Sequence, residues 1–133
     1  MYHVADIVAG IDFVFANQGF VFRQNININT NVLQASVEAG FESYVYVGTA
    51  CSFPKGLQSS YSVTALRENQ TYPANPESAY GWSKLMGEYE AELLRMAADT
   101  TQMKVSVLRF HNIYGPGMVF GKSSQVSRAC RIQ

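Results

Sequence analysis

The order of apolar and polar positions predicts alternating strands and helices in the first half of the chain. Residues 2–5 form a short apolar run that predicts a strand. Between residues 20 and 39 apolar side chains recur at nearly helical spacing and Gly40 follows as a C-terminal cap, which predicts a helix. Residues 43–49 (SYVYVGT) are β-branched and aromatic, a composition typical of a buried strand. The expected buried stripe of the helix is Ile28, Val32, Leu33, Ala35 and Val37.

The second half of the chain begins with a long loop and then returns to the same alternation. Residues 52–78 are rich in Ser, Pro, Asn and Gln without a sustained period, which is typical of a functional loop. Asn75 as a cap and Pro76 in the first turn then predict a helix over residues 76–98. Residues 104–110 (KVSVLRF) predict another buried strand. The apolar stripe of this second helix is Leu85, Tyr89, Leu93 and Ala97.

The predicted order β-α-β-loop-α-β indicates an α/β fold. Strands that alternate with long helices form a parallel sheet with helices on its faces, and ligands bind at the carboxyl ends of such strands. Three strands make a thin sheet, so we expect one further element at residues 123–132.

Composition and charge exclude several classes of protein. The 133 residues, of which 47% are apolar, fit one small domain with a core. Ten Lys and Arg balance ten Asp and Glu, so we expect no nucleic-acid partner. Asp12 interrupts the first apolar run far short of the roughly 18 residues that a membrane span needs. We therefore expect neither a signal peptide nor a membrane helix.

The two cysteines bear on metal binding and on location. Cys51 and Cys130 lie too far apart for a short metal-ligand pair and are too few for a disulfide scaffold. We therefore expect no metal site and a reducing, cytoplasmic setting.

Tyr80 and Lys84 lie four residues apart on the second predicted helix, which places both side chains on one face. Because a nearby cation stabilises phenolate, we expect Lys84 to lower the pKa of Tyr80 from its ordinary value of about 10. A lower pKa would suit general acid or base catalysis. The same spacing also arises by chance on a solvated helix face, so the pair alone does not establish a site.

Thr49 is a third polar residue expected near Tyr80 and Lys84. It ends a predicted parallel strand and runs into the small residues Ala50 and Cys51, while Tyr80 begins a helix that enters from the same sheet edge. A substrate hydroxyl shared by Thr49 and Tyr80 requires their hydroxyls to lie within hydrogen-bonding or one-water reach. We therefore expect these groups to converge.

Four segments together carry a resemblance to a known family. They are HVAD (3–6), YVYVGTACSFP (44–54), YPANPESAYGWSKLMGE (72–88) and LRFHNIYGPG (108–117). In this order they resemble the extended short-chain dehydrogenase/reductase family, whose NAD-dependent members epimerise or dehydrate nucleotide sugars. Within that family the combination is most similar to the GDP-mannose 3,5-epimerases.

The resemblance implies NAD as cofactor, a nucleotide sugar as substrate and a role for each convergent group. It implies that Tyr80 removes the proton of a sugar hydroxyl, with Lys84 as its electrostatic partner and a ribose ligand, and that Thr49 completes the triad. Cys51 matches a cysteine that moves a proton at the carbon beside the transient ketone, although a strand-end cysteine can equally be a small buried hydrophobe. The remaining implied contacts are Ala5 for the cofactor, and Ala50, Asn112, Ser124, Gln125 and Val126 for the substrate. Asn112 also fits an ordinary turn asparagine.

Two departures from the family pattern limit these implications. No Gly-x-x-Gly-x-x-Gly turn for the cofactor pyrophosphate occurs, and residue 1 corresponds to the family's fourth strand. We therefore expect a partial Rossmann-type parallel sheet over residues 1–117, without its N-terminal Gly-rich unit, and the start of a substrate-binding region over residues 118–133. The family's acid partner of the cysteine is a lysine, whereas Gln125 stands there and cannot move a proton at neutral pH. Lys122 is close in sequence and could substitute for it if the loop is shifted.

Two functions remain open from the sequence. The first is an NAD-dependent nucleotide-sugar epimerase or dehydratase, an isomerase or lyase that acts through transient oxidation of a sugar hydroxyl. The second is a catalytically incompetent homologue that serves as an interaction or sugar-nucleotide-binding module, because the Gly-rich motif is not found. In the family, helices that match residues 20–39 and 76–98 form a four-helix bundle between subunits, so we expect a homodimer.

Overall fold

The computed structural model describes residues 1–59, 65–97, 103–111, 113 and 116. Its helices and strands are β1 (Tyr2–His3), α1 (Ile11–Ala16), α2 (Gln18–Glu38), β2 (Ser43–Thr49), α3 (Ala79–Met96) and β3 (Lys104–Phe110). Short 3₁₀ turns lie at Ala50–Ser52, Lys55–Leu57 and Glu68–Gln70. The short helix α1 was not predicted, and the element expected at residues 123–132 lies outside the described residues.

The described strands form a parallel sheet with β2 in its centre, in the order β1-β2-β3. Along β2 and β3 the register runs from Ser43 opposite Lys104 to Thr49 opposite Phe110. His3, the last residue of β1, pairs with Tyr46, so the chain after β1 continues toward the same edge. This arrangement confirms the predicted parallel α/β fold and brings the carboxyl ends of the strands together.

The C-terminal end of α2 has the geometry that the sequence predicts. Gly40 has φ +69°, a conformation that costs a residue without Cβ little. Its N–H donates to the Val37 carbonyl at 3.0 Å, and the N–H of Phe41 donates to the Ser36 carbonyl at 3.2 Å. These two bonds form a Schellman motif, which satisfies carbonyls that the helix itself leaves free.

The buried face of α2 differs from the predicted apolar stripe. Its buried side chains are Val21, Asn25, Asn29, Leu33 and Ser36. Of the predicted stripe, Leu33 is buried, but Ile28, Val32 and Val37 are only half-buried and Ala35 is exposed. The side-chain oxygens of the two buried asparagines are hydrogen-bonded, whereas Asn29 Nδ2 is buried without a partner among the described residues. Asn25 Oδ1 accepts from the Ile7 N–H at 2.7 Å, and Asn29 Oδ1 lies 2.7 Å from His3 Nε2.

Helix α3 begins at Ala79, three residues later than predicted. Ser78 caps it, because its Oγ accepts a hydrogen bond from the Gly81 N–H at 3.2 Å. The predicted cap, Asn75, instead belongs to the loop, where its carbonyl accepts from the Lys55 N–H at 2.8 Å.

The predicted apolar stripe of α3 is also wrong in part. Leu85 is buried, but Tyr89 and Leu93 are 50% and 46% exposed. The buried face instead carries small and charged groups: Gly81, Ser83, Lys84, Gly87, Glu88 and Ala91. This face lies next to the sheet end and to α2, where Asn25 Nδ2 donates to Ser83 Oγ at 3.4 Å.

The apolar core lies between the sheet and the two long helices. Its buried members are Leu33, Tyr44, Tyr46 and Met103. Among the residues that the structure describes, no helix is both long enough and apolar enough to cross a membrane.

Candidate functional site

The candidate site lies at the carboxyl ends of β1 and β2, next to the first turns of α3. Thr49 is nearly buried, and its Oγ1 accepts a hydrogen bond from the Cys51 N–H at 3.2 Å. This bond caps the Ala50–Ser52 turn. The Thr49 hydroxyl lies within hydrogen-bonding reach of the Tyr80 phenol and influences its pKa, in agreement with the expected convergence of the two groups.

Tyr80 does not have the lowered pKa that its spacing from Lys84 predicts. Burial, then the charges of Cys51 and Asp6, raises the pKa of Tyr80 to about 12, and the hydrogen bond to Thr49 opposes this shift. The expectation that Lys84 lowers this pKa is therefore wrong. Its phenol is protonated at neutral pH.

Lys84 is instead paired with Asp6, a residue that the sequence analysis did not single out as functional. The ammonium donates to Asp6 Oδ2, and the two side chains are only 5% and 2% exposed. Lys84 Nζ also lies 4.8 Å from the centre of the Tyr46 ring, a cation–π contact. Burial raises the pKa of Asp6 above its ordinary value of 3.8, and Lys84 opposes this shift. The carboxyl's other oxygen, Oδ1, is buried and has no hydrogen-bond partner within the described segments.

Gly81 allows α3 to approach the turn that carries Cys51. A Cβ atom at this position would collide with the backbone carbonyl of Cys51. The Tyr80–Gly81 step of the helix therefore lies directly against the turn, which explains why phenol and thiol share one site.

A cavity of about 480 Å³ opens beside these groups. Cys51 and Tyr80 contribute to its wall, together with Val14 and Phe15 of α1 and the cationic Lys55. The thiol and the phenol thus border one space large enough for part of a small-molecule ligand, at the position where parallel sheets bind ligands.

The other predicted contacts divide between described and undescribed residues. Ala5 is exposed just beyond β1, where a cofactor could contact it, and Ala50 is half-buried in the turn before Cys51. Asn112, Ser124, Gln125 and Val126 lie outside the described residues. No group of His, Cys, Asp and Glu that could hold a metal occurs in the parts of the chain that the structure describes.

Sequence reasoning missed two charged residues of the site region. Asp6 is the last residue of the HVAD segment, and Glu88 lies four residues beyond Lys84 on the same helix face. An i, i+4 spacing from a candidate lysine was a signal that could have identified Glu88. Asp6 has no local signal, because its partner lies 78 positions away.

We expect the phenol of Tyr80 to titrate with a midpoint at about 12. The difference in tyrosinate absorbance between the native chain and Tyr80→Phe measures this midpoint. In Thr49→Val the midpoint should rise, because the hydrogen bond that stabilises the phenolate is removed. A midpoint at or below the ordinary value of about 10 in the native chain would show that Tyr80 is not in the buried environment described here.

Comparison with known proteins places this geometry in a family. The sequence pattern of the NAD dependent epimerase/dehydratase family matches residues 1–131. The chain belongs to this family.

Similar epimerase/dehydratase sequences include plant GDP-mannose 3,5-epimerases. The Arabidopsis thaliana enzyme is 30% identical, and GDP-mannose 3,5-epimerase 1 of Oryza sativa subsp. indica is 33% identical, each over 116 residues. The alignments cover 87% of this chain but 30% of each relative. The chain thus spans less than a third of the length of these relatives.

Solved structures of similar fold support the same architecture. A GDP-L-fucose synthetase from Naegleria fowleri bound to NADP matches with a TM-score of 0.75 at 20% identity, covering 96% of this chain and 41% of that chain. A UDP-glucose 4-epimerase from Thermus thermophilus in complex with NAD matches with a TM-score of 0.68 at 24% identity, covering 89% of this chain and 35% of that chain. At these identities the structural comparison shows the fold.

Proposed function

We propose that this chain carries the catalytic segment of an NAD-dependent nucleotide-sugar epimerase or dehydratase, an isomerase or lyase that acts on GDP-mannose or a closely similar sugar nucleotide. The observation that carries the proposal is that the Thr49 and Tyr80 side chains lie within hydrogen-bonding reach beside a cavity that Tyr80 and Cys51 line. The sequence similarity to GDP-mannose 3,5-epimerases supports this substrate class. It also favours an enzyme over a module that only binds or interacts.

Tyr80 is proposed to take the proton of a sugar hydroxyl, which Thr49 orients by a hydrogen bond. Because burial raises its pKa to about 12, the Tyr80 phenol is protonated at neutral pH. Ligand binding must therefore lower this pKa for Tyr80 to act as a base. Lys84 is the buried cation four residues away on the same helix face, and we propose that it supplies this charge when it moves from Asp6 toward the phenol.

The described residues fit one end of a dinucleotide. Ala5 is exposed at the carboxyl end of β1. Lys84 is an ammonium that pairs with Asp6, and Asp6 Oδ1 has no hydrogen-bond partner among the described residues. We propose that Ala5, Tyr80 and Lys84 hold the nicotinamide half, with Lys84 bonding to ribose hydroxyls. The chemistry that bound NAD supplies is reversible acceptance of a hydride from the sugar carbon.

Cys51 is proposed to move a proton at the carbon next to the one that is oxidised. A carbonyl makes the neighbouring C–H acidic, and a thiolate is a competent base for such a proton. Its position in the cavity wall with Tyr80 allows both groups to face one sugar ring. Ala50, Asn112, Ser124, Gln125 and Val126 are proposed to contact the sugar nucleotide, and residues 118–133 to begin the substrate-binding region.

We further propose a homodimer formed through α2 and α3 and a location in the cytoplasm. Both helices expose large apolar side chains, among them Phe20, Tyr89 and Leu93, which an interface would cover. The free thiol of Cys51 is compatible with a reducing compartment.

Solvent exchange tests the proposed function. The natural protein that carries these residues is incubated with NAD and GDP-mannose in D₂O, and the recovered sugar nucleotide is analysed by mass spectrometry. We expect deuterium in an epimerised product, and about 10²-fold slower incorporation in Cys51→Ser, because general base catalysis is lost. Cys130→Ser is the matched control and should exchange at the native rate. No incorporation by the native protein, or equal incorporation in Cys51→Ser, would contradict the assignment.

A further inference from the structure

A buried carboxylate on α3, Glu88, connects three elements next to the Cys51 turn. Its Oε1 accepts a hydrogen bond from Ser52 Oγ at 3.0 Å, and its Oε2 accepts one from Arg109 Nε at 2.8 Å. The Glu88 side chain is 5% exposed. Because Ser52 follows Cys51 directly, this single carboxylate joins α3 to the turn and to β3.

Arg109, the partner of Glu88, also contacts Phe53, the residue that follows the Ala50–Ser52 turn. The Arg109 guanidinium lies over the Phe53 ring, 5.2 Å from its centre. Ser52 and Phe53 are both buried. At Gly48 of β2 a Cβ atom would lie 2.6 Å from Glu88 Oε1, so a larger residue there would require the carboxylate to shift. The carboxylate therefore lies directly against β2.

A buried ion pair contributes little net stability by itself. Well-packed apolar residues of similar volume often stabilise a protein as much or more, because both charges must lose their water. What the Glu88–Arg109 pair adds is fixed geometry. Two oxygens of one rigid helix residue fix a hydroxyl on the turn and a guanidinium on β3 at the same time.

We propose that Glu88, together with Arg109, is a positioning residue that holds the Ala50–Ser52 turn so that the Cys51 thiol stays at the cavity beside Tyr80. One face of α3 carries Tyr80, Lys84 and Glu88 at four-residue intervals. This face therefore positions the phenol directly and the Cys51 thiol through the bond from Glu88 to the turn. The inference rests on the proposed function for what Cys51 does. The geometry itself is testable without turnover.

The test is alkylation of Cys51 by iodoacetamide in the 133-residue chain with Cys130→Ser, under native conditions. We expect Glu88→Gln and Ser52→Ala each to accelerate alkylation about five- to tenfold, because the turn opens more often when one of its bonds is lost. Glu88→Gln removes the charge that holds Arg109. Ser52→Ala removes only the bond to the turn and remains informative if the first variant does not fold.

Glu92→Gln is the matched control. Glu92 lies one turn further along α3 and forms an exposed pair with Arg95, so its loss should leave the alkylation rate unchanged. A purely structural role for Glu88 predicts a lower denaturation midpoint with an unchanged native-state alkylation rate. Unchanged or slower alkylation in folded Ser52→Ala would overturn the proposal, whatever the outcome of the turnover assay.

Discussion

Replacing Tyr80 with phenylalanine is expected to lower turnover by about 10³-fold, the usual contribution of one positioned acid or base group. The substitution removes a hydroxyl that lies within hydrogen-bonding reach of Thr49 and leaves the ring in place. The fold should therefore change little, and any loss of NAD affinity reports only the contact of the hydroxyl with the cofactor. The measurement is steady-state turnover of GDP-mannose by the natural protein that carries this chain, with NAD affinity determined separately by calorimetric titration.

Tyr89→Phe is the control for this prediction. Tyr89 lies on the same helix but is 50% exposed and takes no part in the proposed chemistry, so its variant should keep the native rate. Near-native turnover in Tyr80→Phe would remove this residue from its proposed role. Equal loss in both variants would indicate that tyrosines on α3 act through stability.

The convergence of Thr49 and Tyr80 could be predicted from the sequence because both depend on local features. A β-branched strand that ends in a small polar residue, and a helix that follows it after a long loop, have few arrangements in a parallel sheet. The ionic state of the site could not be predicted in the same way. Lys84 takes Asp6 as its partner across 78 positions, and burial, which depends on the whole fold, dominates the pKa of Tyr80.

The buried faces of the helices show the same limit. The sequence predicts apolar stripes, but α2 buries Asn25 and Asn29, whose side-chain oxygens pair with the backbone of Ile7 and the ring of His3. Hydropathy patterns treat such residues as exposed because they do not include specific partners. The start of α3 depends on which polar residue caps it, and Ser78 rather than Asn75 does so.

Breaking the Lys84–Asp6 pair is expected to have the largest effect on stability. Lys84→Met fills a similar volume but leaves Asp6 buried without a counter-charge, which typically costs about 3–5 kcal/mol. Urea unfolding at neutral pH measures this loss. Arg95→Met, which removes a partner of the exposed Glu92 on the same helix, should change the free energy of unfolding little.

The pH dependence of this loss identifies its cause. Burial raises the folded-state pKa of Asp6 above 3.8, so the stability linked to its protonated form is present below that value and is lost as the pH rises through the folded-state pKa. Removing Lys84 raises this pKa further, since the lysine opposes the shift. The destabilisation by Lys84→Met should therefore be large at neutral pH and shrink as Asp6 becomes protonated below its folded-state pKa.

Asp6→Asn in the Lys84→Met background should recover part of the loss at neutral pH, because no buried charge then remains. The contrary result is a loss of unfolding free energy that is equal at neutral pH and below the folded-state pKa of Asp6, and that Asp6→Asn does not reduce. It would assign the effect to packing of the lysine stem instead of to the ion pair.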